Sequence, residues 1–403
     1  AITTGDSNIA VGHGAGDALT TGSSNVAIGF NALGAEDTGS RSIAIGEGSL
    51  QVQNNDDNNY NVAIGHHAGH LVSTGTLNTI IGGLAGDALT TGASNVAVGF
   101  RALSSEDAHG QNVAIGSFAL SNQDAGSDAY NVVIGAAAGS SITTAANNTI
   151  VGGNAGDALT TGSGNVAVGR NALSASTTGG NNVAIGSSAM QSATLADFNI
   201  AIGSNALQNL TQSTLTHTHN LAIGKTAGQS MTTGKQNTLI GMNDVGADLT
   251  TGRGNTVVGY ECLQFEDDAD YATAVGFQAL KVQNTGTNES FNTALGYRAG
   301  YAVTTGTNNT FVGANAGLSN EGGGNNIAIG KNADFGGASF SNAIAIGTGL
   351  TQNLGTNTTE IGTTSTTKAI VHGLTQPVTS ANSNIAAAAA TPNTIYNFGD
   401  ADG

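Results

Sequence analysis

Asn25-Val26-Ala27-Ile28-Gly29-Phe30-Asn31-Ala32-Leu33 is one statement of a phrase that returns along almost the whole chain. With the glycine that closes N-V-A-I-G as the marker, 21 copies run from Gly12 to Gly362, and 14 of the 20 intervals between them are 17 residues long. A fixed period this short describes a stack of rungs, each too small to bury a core alone. In an extended segment Val26 and Ile28 share one face while Asn25, Ala27 and Gly29 share the other, so the phrase reads as a short β-strand. The Thr-Thr-Gly-Ser-Ser run before it supplies turn residues. A second apolar pair, Ala32-Leu33, recurs as Ala102-Leu103 and Ala172-Leu173 and predicts a second strand, hence two strands and two turns per rung. The expected fold is an all-β parallel β-solenoid of about 21 rungs, a rod roughly 100 Å long at ~4.8 Å per rung.

Stacking in register turns each position into a column. Asn stands four residues before the marker in 17 of the 21 rungs, from Asn8 to Asn326, where its amide can bond to copies above and below. The glycine column predicts positive φ or close backbone approach. Charge repeated in every rung would meet its own kind at ~4.8 Å, so acids are expected at longer range. Asp17, Asp87 and Asp157 lie 70 residues apart, as do Glu36 and Glu106. The rungs ending at Gly65, Gly135, Gly224 and Gly296 carry insertions of two to four residues, and an aromatic ring precedes the Asn column in each: Tyr60, Tyr130, His219 and Phe291. Insertions at one phase map to one edge, which predicts a row of protruding loops that includes residues 53–59.

Composition narrows the function classes. The chain has 403 residues, 61 Gly, 9% charged residues and a formal net charge of −17, with its 10 basic residues scattered singly. Nucleic-acid binding needs a basic patch and is not expected. No run of 18 apolar residues occurs, so no membrane-inserted helix is predicted. Cys262 stands alone, which excludes an intrachain disulfide. The N-terminal Ala-Ile-Thr-Thr-Gly is unlike a signal peptide and starts inside a rung, as expected of a processed chain or of a piece cut from a longer one.

A thin core offsets little of the entropy of ordering so many glycines, which predicts a homo-oligomer with three-fold symmetry. The Ala column, small and regular, suits contact between chains, and the Val/Ile column is the other candidate.

The run Asn25-Val26-Ala27-Ile28-Gly29 followed by Phe30-Asn31-Ala32-Leu33 resembles the head repeat of YadA-like trimeric autotransporter adhesins, and it looks even more like the 17-residue repeat of phage and marine-virus tail-fibre proteins. The resemblance covers residues 1 to about 362. It implies a left-handed β-roll shaft over residues 1–362, three chains side by side, and a C-terminal exit segment over 363–403. By the same resemblance the chain would be a structural, adhesive segment of a virion tail fibre. Its partners would be itself as a homotrimer, other fibre or baseplate proteins, and a host receptor or glycan. The same rung serves bacterial surface adhesins, which remain the alternative, and an ice- or glycan-binding solenoid is a third class.

Candidate chemistry is sparse. Gly12-His13-Gly14-Ala15-Gly16 has neither the helix nor the Lys-Ser/Thr of a phosphate loop, and no paired nucleophile and base stand out, so no enzyme activity and no organic cofactor are expected. His217 and His219 share a strand face. Three symmetric chains would bring together enough imidazoles for one octahedral ion, a use that viral fibres make of His-x-His. His66, His67 and His70 form a second group, but adjacent histidines on a strand would face opposite ways. Asp56-Asp57 and Glu266-Asp267-Asp268 offer hard oxygens for Ca²⁺, though they read better as solvated loops. Tyr60, Tyr130, Phe291, Asp56 and Asp57 are the candidate surface-loop contacts. Thr20-Thr21, Thr90-Thr91 and Thr160-Thr161 are too intermittent for an ice-binding array.

Overall fold

The computed structural model describes residues 3–214, 216–286, 289–350 and 355–362. The exit segment expected over 363–403 lies outside them. The architecture is a parallel β-solenoid with a repeat of about 17 residues, and no helix occurs among the described residues. Twenty-one three-residue strands, from Ile9–Val11 to Thr359–Ile361, form one sheet, each pairing with the next in sequence. Register is held by the repeat itself: Val26 pairs with Ile43, Ala27 with Ala44 and Ile28 with Ile45.

The marker glycines end every strand, and all 21 have φ between 102° and 153°. At Gly29 a Cβ would also lie 2.5 Å from the carbonyl oxygen of Gly46 in the next rung, so the column needs glycine for both expected reasons.

Two expectations are corrected. The Ala32-Leu33 pair is not a second strand. Both side chains are fully buried, which an extended backbone with alternating faces cannot achieve, and the chain instead turns with Asn31 and Leu33 at φ 53° and 52°. Bonding between rungs continues through these turns, since Leu33 N–H donates to Ser49 O at 3.0 Å and Asn31 N–H to His13 O. Within four residues of Gly29 the chain is therefore tied to the rungs on both sides.

The second correction concerns the two faces of the strand. Ala27, Ala44, Ala97 and the Ala column of the strands after the first are fully buried within a single chain, whereas Val26 and Ile28 are half-buried on the outside. The Ala column is the interior and cannot serve as contact between chains. The reason is width: the turns deliver Leu33, Leu50, Leu103 and their equivalents into the same space, and only a small strand residue fits opposite. In three rungs whose turn position is glycine the strand centre is large, with Ile80 against Gly86, Ile150 against Gly156 and Phe311 against Gly317. A Cβ at Gly317 would come within 2.2 Å of Phe311 Cδ1. Large and small residues thus trade places along one continuous core.

The Asn column lines the interior beside the strands and is buried throughout the inner rungs. Asn25 Oδ1 accepts the backbone N–H of Ser42 at 2.9 Å, and its Nδ2 donates to Gly39 O at 2.9 Å, so one side chain binds two backbone groups of the next rung. Amide-to-amide bonds join the expected ladder from Asn131 to Asn255, as in Asn148 Nδ2 donating to Asn131 Oδ1 at 3.2 Å. These bonds satisfy backbone groups that the turns leave without strand partners.

Candidate functional site

The residue before each column Asn adopts the left-handed backbone region, and this is where the four loop aromatics sit: Tyr60, Tyr130, His219 and Phe291 have φ between 47° and 54°. That geometry turns each ring outward, leaving Tyr60, Tyr130 and Phe291 49%, 50% and 48% exposed. Each is covered from the rung below by the residue one period earlier. Arg41 Nη1 donates to Tyr60 Oη at 2.7 Å, and Gln111 Nε2 donates to Tyr130 Oη at 3.1 Å. Phe198 stacks on His219 at 5.4 Å, and Tyr271 stacks on Phe291 at 5.5 Å. One edge of the rod therefore carries four two-membered patches, four or five rungs apart, or roughly 19–24 Å.

Not all of the 53–59 loop protrudes. Asn54, Asp56, Asp57 and Asn58 are exposed, but Gln53 and Asn59 are fully buried. Both reach Glu36, which is also fully buried: Gln53 Nε2 and Asn59 Nδ2 donate to Glu36 Oε2 at 2.9 and 3.0 Å, and Gly39 N–H donates to Oε1 at 2.7 Å. The same device recurs under two other loops. Gln123 Nε2 donates to buried Glu106 at 3.1 Å, and Gln283 Nε2 to buried Glu266 at 2.9 Å. Burial holds the Glu36 and Glu266 carboxyls above the ordinary glutamate range. Glu36 and Glu106 are thus not spaced surface charges; their 70-residue separation marks where insertions are anchored. The recoverable signal is a Glu followed 17 residues later by a Gln, which sequence reading missed.

Among the described residues, the Asp56-Asp57 and Glu266-Asp267-Asp268 runs do not form a three-ligand group. Asp56 Oδ1 accepts from Thr38 Oγ1 at 2.6 Å, and Asp57 points to solvent. In the 266–268 run Glu266 faces inward, while Asp268 accepts from the Thr251 and Thr250 hydroxyls, which hold its carboxyl below the usual range. The Thr20, Thr90 and Thr160 hydroxyls donate to carbonyls of the next rung and so do not form a free array.

His217 and His219 do share a side, flanking buried Thr218, with ring centroids 5.9 Å apart. His217 Nδ1 lies 3.4 Å from Asp197 Oδ2 and His219 packs on Phe198. Among the described residues, the two histidines and Asp197 do not close into a three-ligand group.

His66 and His67 differ from expectation. They follow the marker glycine in a turn, not a strand, and so lie together, with centroids 4.2 Å apart and rings nearly parallel. His67 also stacks on His70 at 4.4 Å. Burial, with the neighbouring His70 and His66, lowers the His67 pKa below the ordinary histidine value.

The largest continuous feature is the outer strand face. Val, Ile, Thr and Leu occupy the first and third strand positions in register, and several are well exposed, among them Ile134 at 37% and Leu295 at 50%. No helix among the described residues is long and apolar enough to cross a membrane. No protein-family model matches this chain, and no curated protein matches it either.

Proposed function

We propose that the chain is the shaft segment of a homotrimeric fibre, of the kind that carries a virus's host-attachment surface away from its anchor. The carrying observation is the outward face, whose third strand position is Val, Ile or Leu in all 21 strands of one sheet. An apolar stripe roughly 100 Å long is too extensive to stand in water as incidental exposure. Its best partner is a second copy of the same chain aligned in parallel, because only a surface with the same ~4.8 Å repeat stays in step over the full length. Three such rods close around an axis and bury the stripe; the aromatic edge patches are left for receptor or glycan contact, since aromatic rings supply rigid, amphipathic contact area. A bacterial adhesin of the same architecture would use the shaft identically.

Sedimentation gives the test. An elongated particle of three times 39.5 kDa is expected, and a monomer would overturn the proposal. Val96→Asp combined with Val166→Asp, both on the outer face, should lower the mass to one chain while keeping β circular dichroism. Ala27→Asp with Ala97→Asp should instead disrupt the fold, because each carboxylate enters the closed interior.

A further inference from the structure

Glu47 follows Gly46 and His66 follows Gly65, so the register of the solenoid places a carboxylate and an imidazole in one column, one rung apart. His67 comes next, with φ 54° and its N–H donating to Glu47 O at 2.8 Å. A carboxylate oxygen of Glu47 and one ring nitrogen from each of His66 and His67 all lie within 4.8 Å of one another. Gly48 leaves the room for this: a Cβ there would be 2.7 Å from His67 Cδ2 and 3.0 Å from Nε2. His70 braces the group, stacked on His67 with its Nδ1 3.2 Å from Gly48 O. Three of the chain's eight histidines thus meet in one turn.

We infer that Glu47, His66 and His67 form a binding site for a divalent transition ion of the Zn²⁺ or Ni²⁺ class, clamping two successive rungs. Two imidazoles and one carboxylate match the donor preference of those ions, whereas Ca²⁺ and Mg²⁺ prefer oxygen throughout. Tetrahedral Zn²⁺ coordination at about 2.0–2.1 Å draws its donors well inside the 4.8 Å within which these atoms lie, and exposed Glu47 and His66 are free to rotate toward the His67 ring. Three protein donors leave a fourth position open to water or to a ligand from outside. The site owes nothing to the fibre reading and would exist in a single chain.

Titration of the metal-free full-length chain with ZnCl₂, NiCl₂ and MgCl₂ by calorimetry tests the inference. One saturable site per chain is expected for Zn²⁺ and Ni²⁺ and none for Mg²⁺. His67→Ala and His66→Ala should each remove it. Gly48→Ala keeps every ligand but crowds the His67 ring, and should weaken binding by about 10- to 100-fold, the range typical of a disturbed support around a metal site. His217→Ala should leave it intact, and circular dichroism should be unchanged in all variants. Absence of a saturable isotherm in the parent, equal binding by the His66→Ala/His67→Ala double variant, or loss of binding in His217→Ala would each overturn the assignment.

Discussion

Three of the four insertion loops stand on a buried carboxylate, and the fourth does not. In the rungs beneath the loops at Tyr60, Tyr130 and Phe291, Glu36, Glu106 and Glu266 each accept a Gln side chain and one or more backbone N–H groups of the turn or loop. Each Gln then accepts the column Asn amide through its Oε1: Asn61, Asn131 and Asn292 donate at 2.8 to 2.9 Å. Beneath the His219 loop the equivalent positions are Ala193 and Leu210, both buried and apolar. That loop has a two-strand bridge, Ala196–Asp197 with Thr216–His217, which lengthens the single-residue bridges Ser40–Asn58 and Asp270–Glu289 of the Tyr60 and Phe291 loops, and Asp197 Oδ1 accepts from Gly180 N–H at 2.7 Å. The same insertion phase thus has a polar and an apolar solution. The difference teaches that the loop needs a filled interior and satisfied backbone groups, not one particular chemistry.

The largest expected effect comes from breaking the polar solution by half. Glu36→Leu leaves one Gln53 Nε2 proton, Asn59 Nδ2 and the Gly39 N–H without acceptors inside the core, and should destabilise the adjoining rungs by about 3–5 kcal/mol in chemical denaturation. Glu36→Ala with Gln53→Leu imports the apolar pair but still leaves Asn59 Nδ2 and Gly39 N–H without their acceptor, so it should recover only part of that loss, leaving about 2–3 kcal/mol. Asn61 keeps its bond to Gly75 O in that variant. If the double change costs as much as the single one, the two solutions are not interchangeable.

Acidity offers a smaller and more selective lever. Because burial raises the Glu36 and Glu266 pKa values in the fold, protonation favours the folded state. Their stabilisation is complete below the unfolded glutamate value and declines as pH rises through the raised folded value. Hydrogen exchange, corrected for its intrinsic pH dependence, should show the Tyr60 and Phe291 loops opening more readily at neutral than at mildly acid pH, with no such trend from Ala193 or Leu210 in the His219 loop. The smallest effect is at the surface. Arg41→Ala removes an exposed contact with Tyr60 and should cost no more than about 0.5–1 kcal/mol, read as a shift in unfolding midpoint.

Legibility in the sequence followed the columns. The Asn and Gly columns announced their roles because a ladder and a positive-φ turn each accept few residue types, and Asn25 and Gly29 do what their positions require. The loop aromatics were legible as a phase, since Tyr60 and Tyr130 lie 70 residues apart. The buried Glu36–Gln53 anchor was not, because in a sequence a glutamate reads as surface charge and its partner sits a whole rung away. His66 and His67 were misread for a related reason: strand alternation was applied one residue past the glycine that ends it.

The repeat by itself determined a parallel solenoid, its period, its in-register stacking and the place of its insertions, since identical rungs at a fixed interval have no other way to bury their apolar residues together. Which face turns inward was decided only in three dimensions. Strand alternation separates Val26 and Ile28 from Ala27 without ordering the two sides, and the usual expectation puts the larger residues inside. A rung that closes within 17 residues has a narrow interior that Ala27 and Leu33 already fill, so the Val/Ile face is left for the outside.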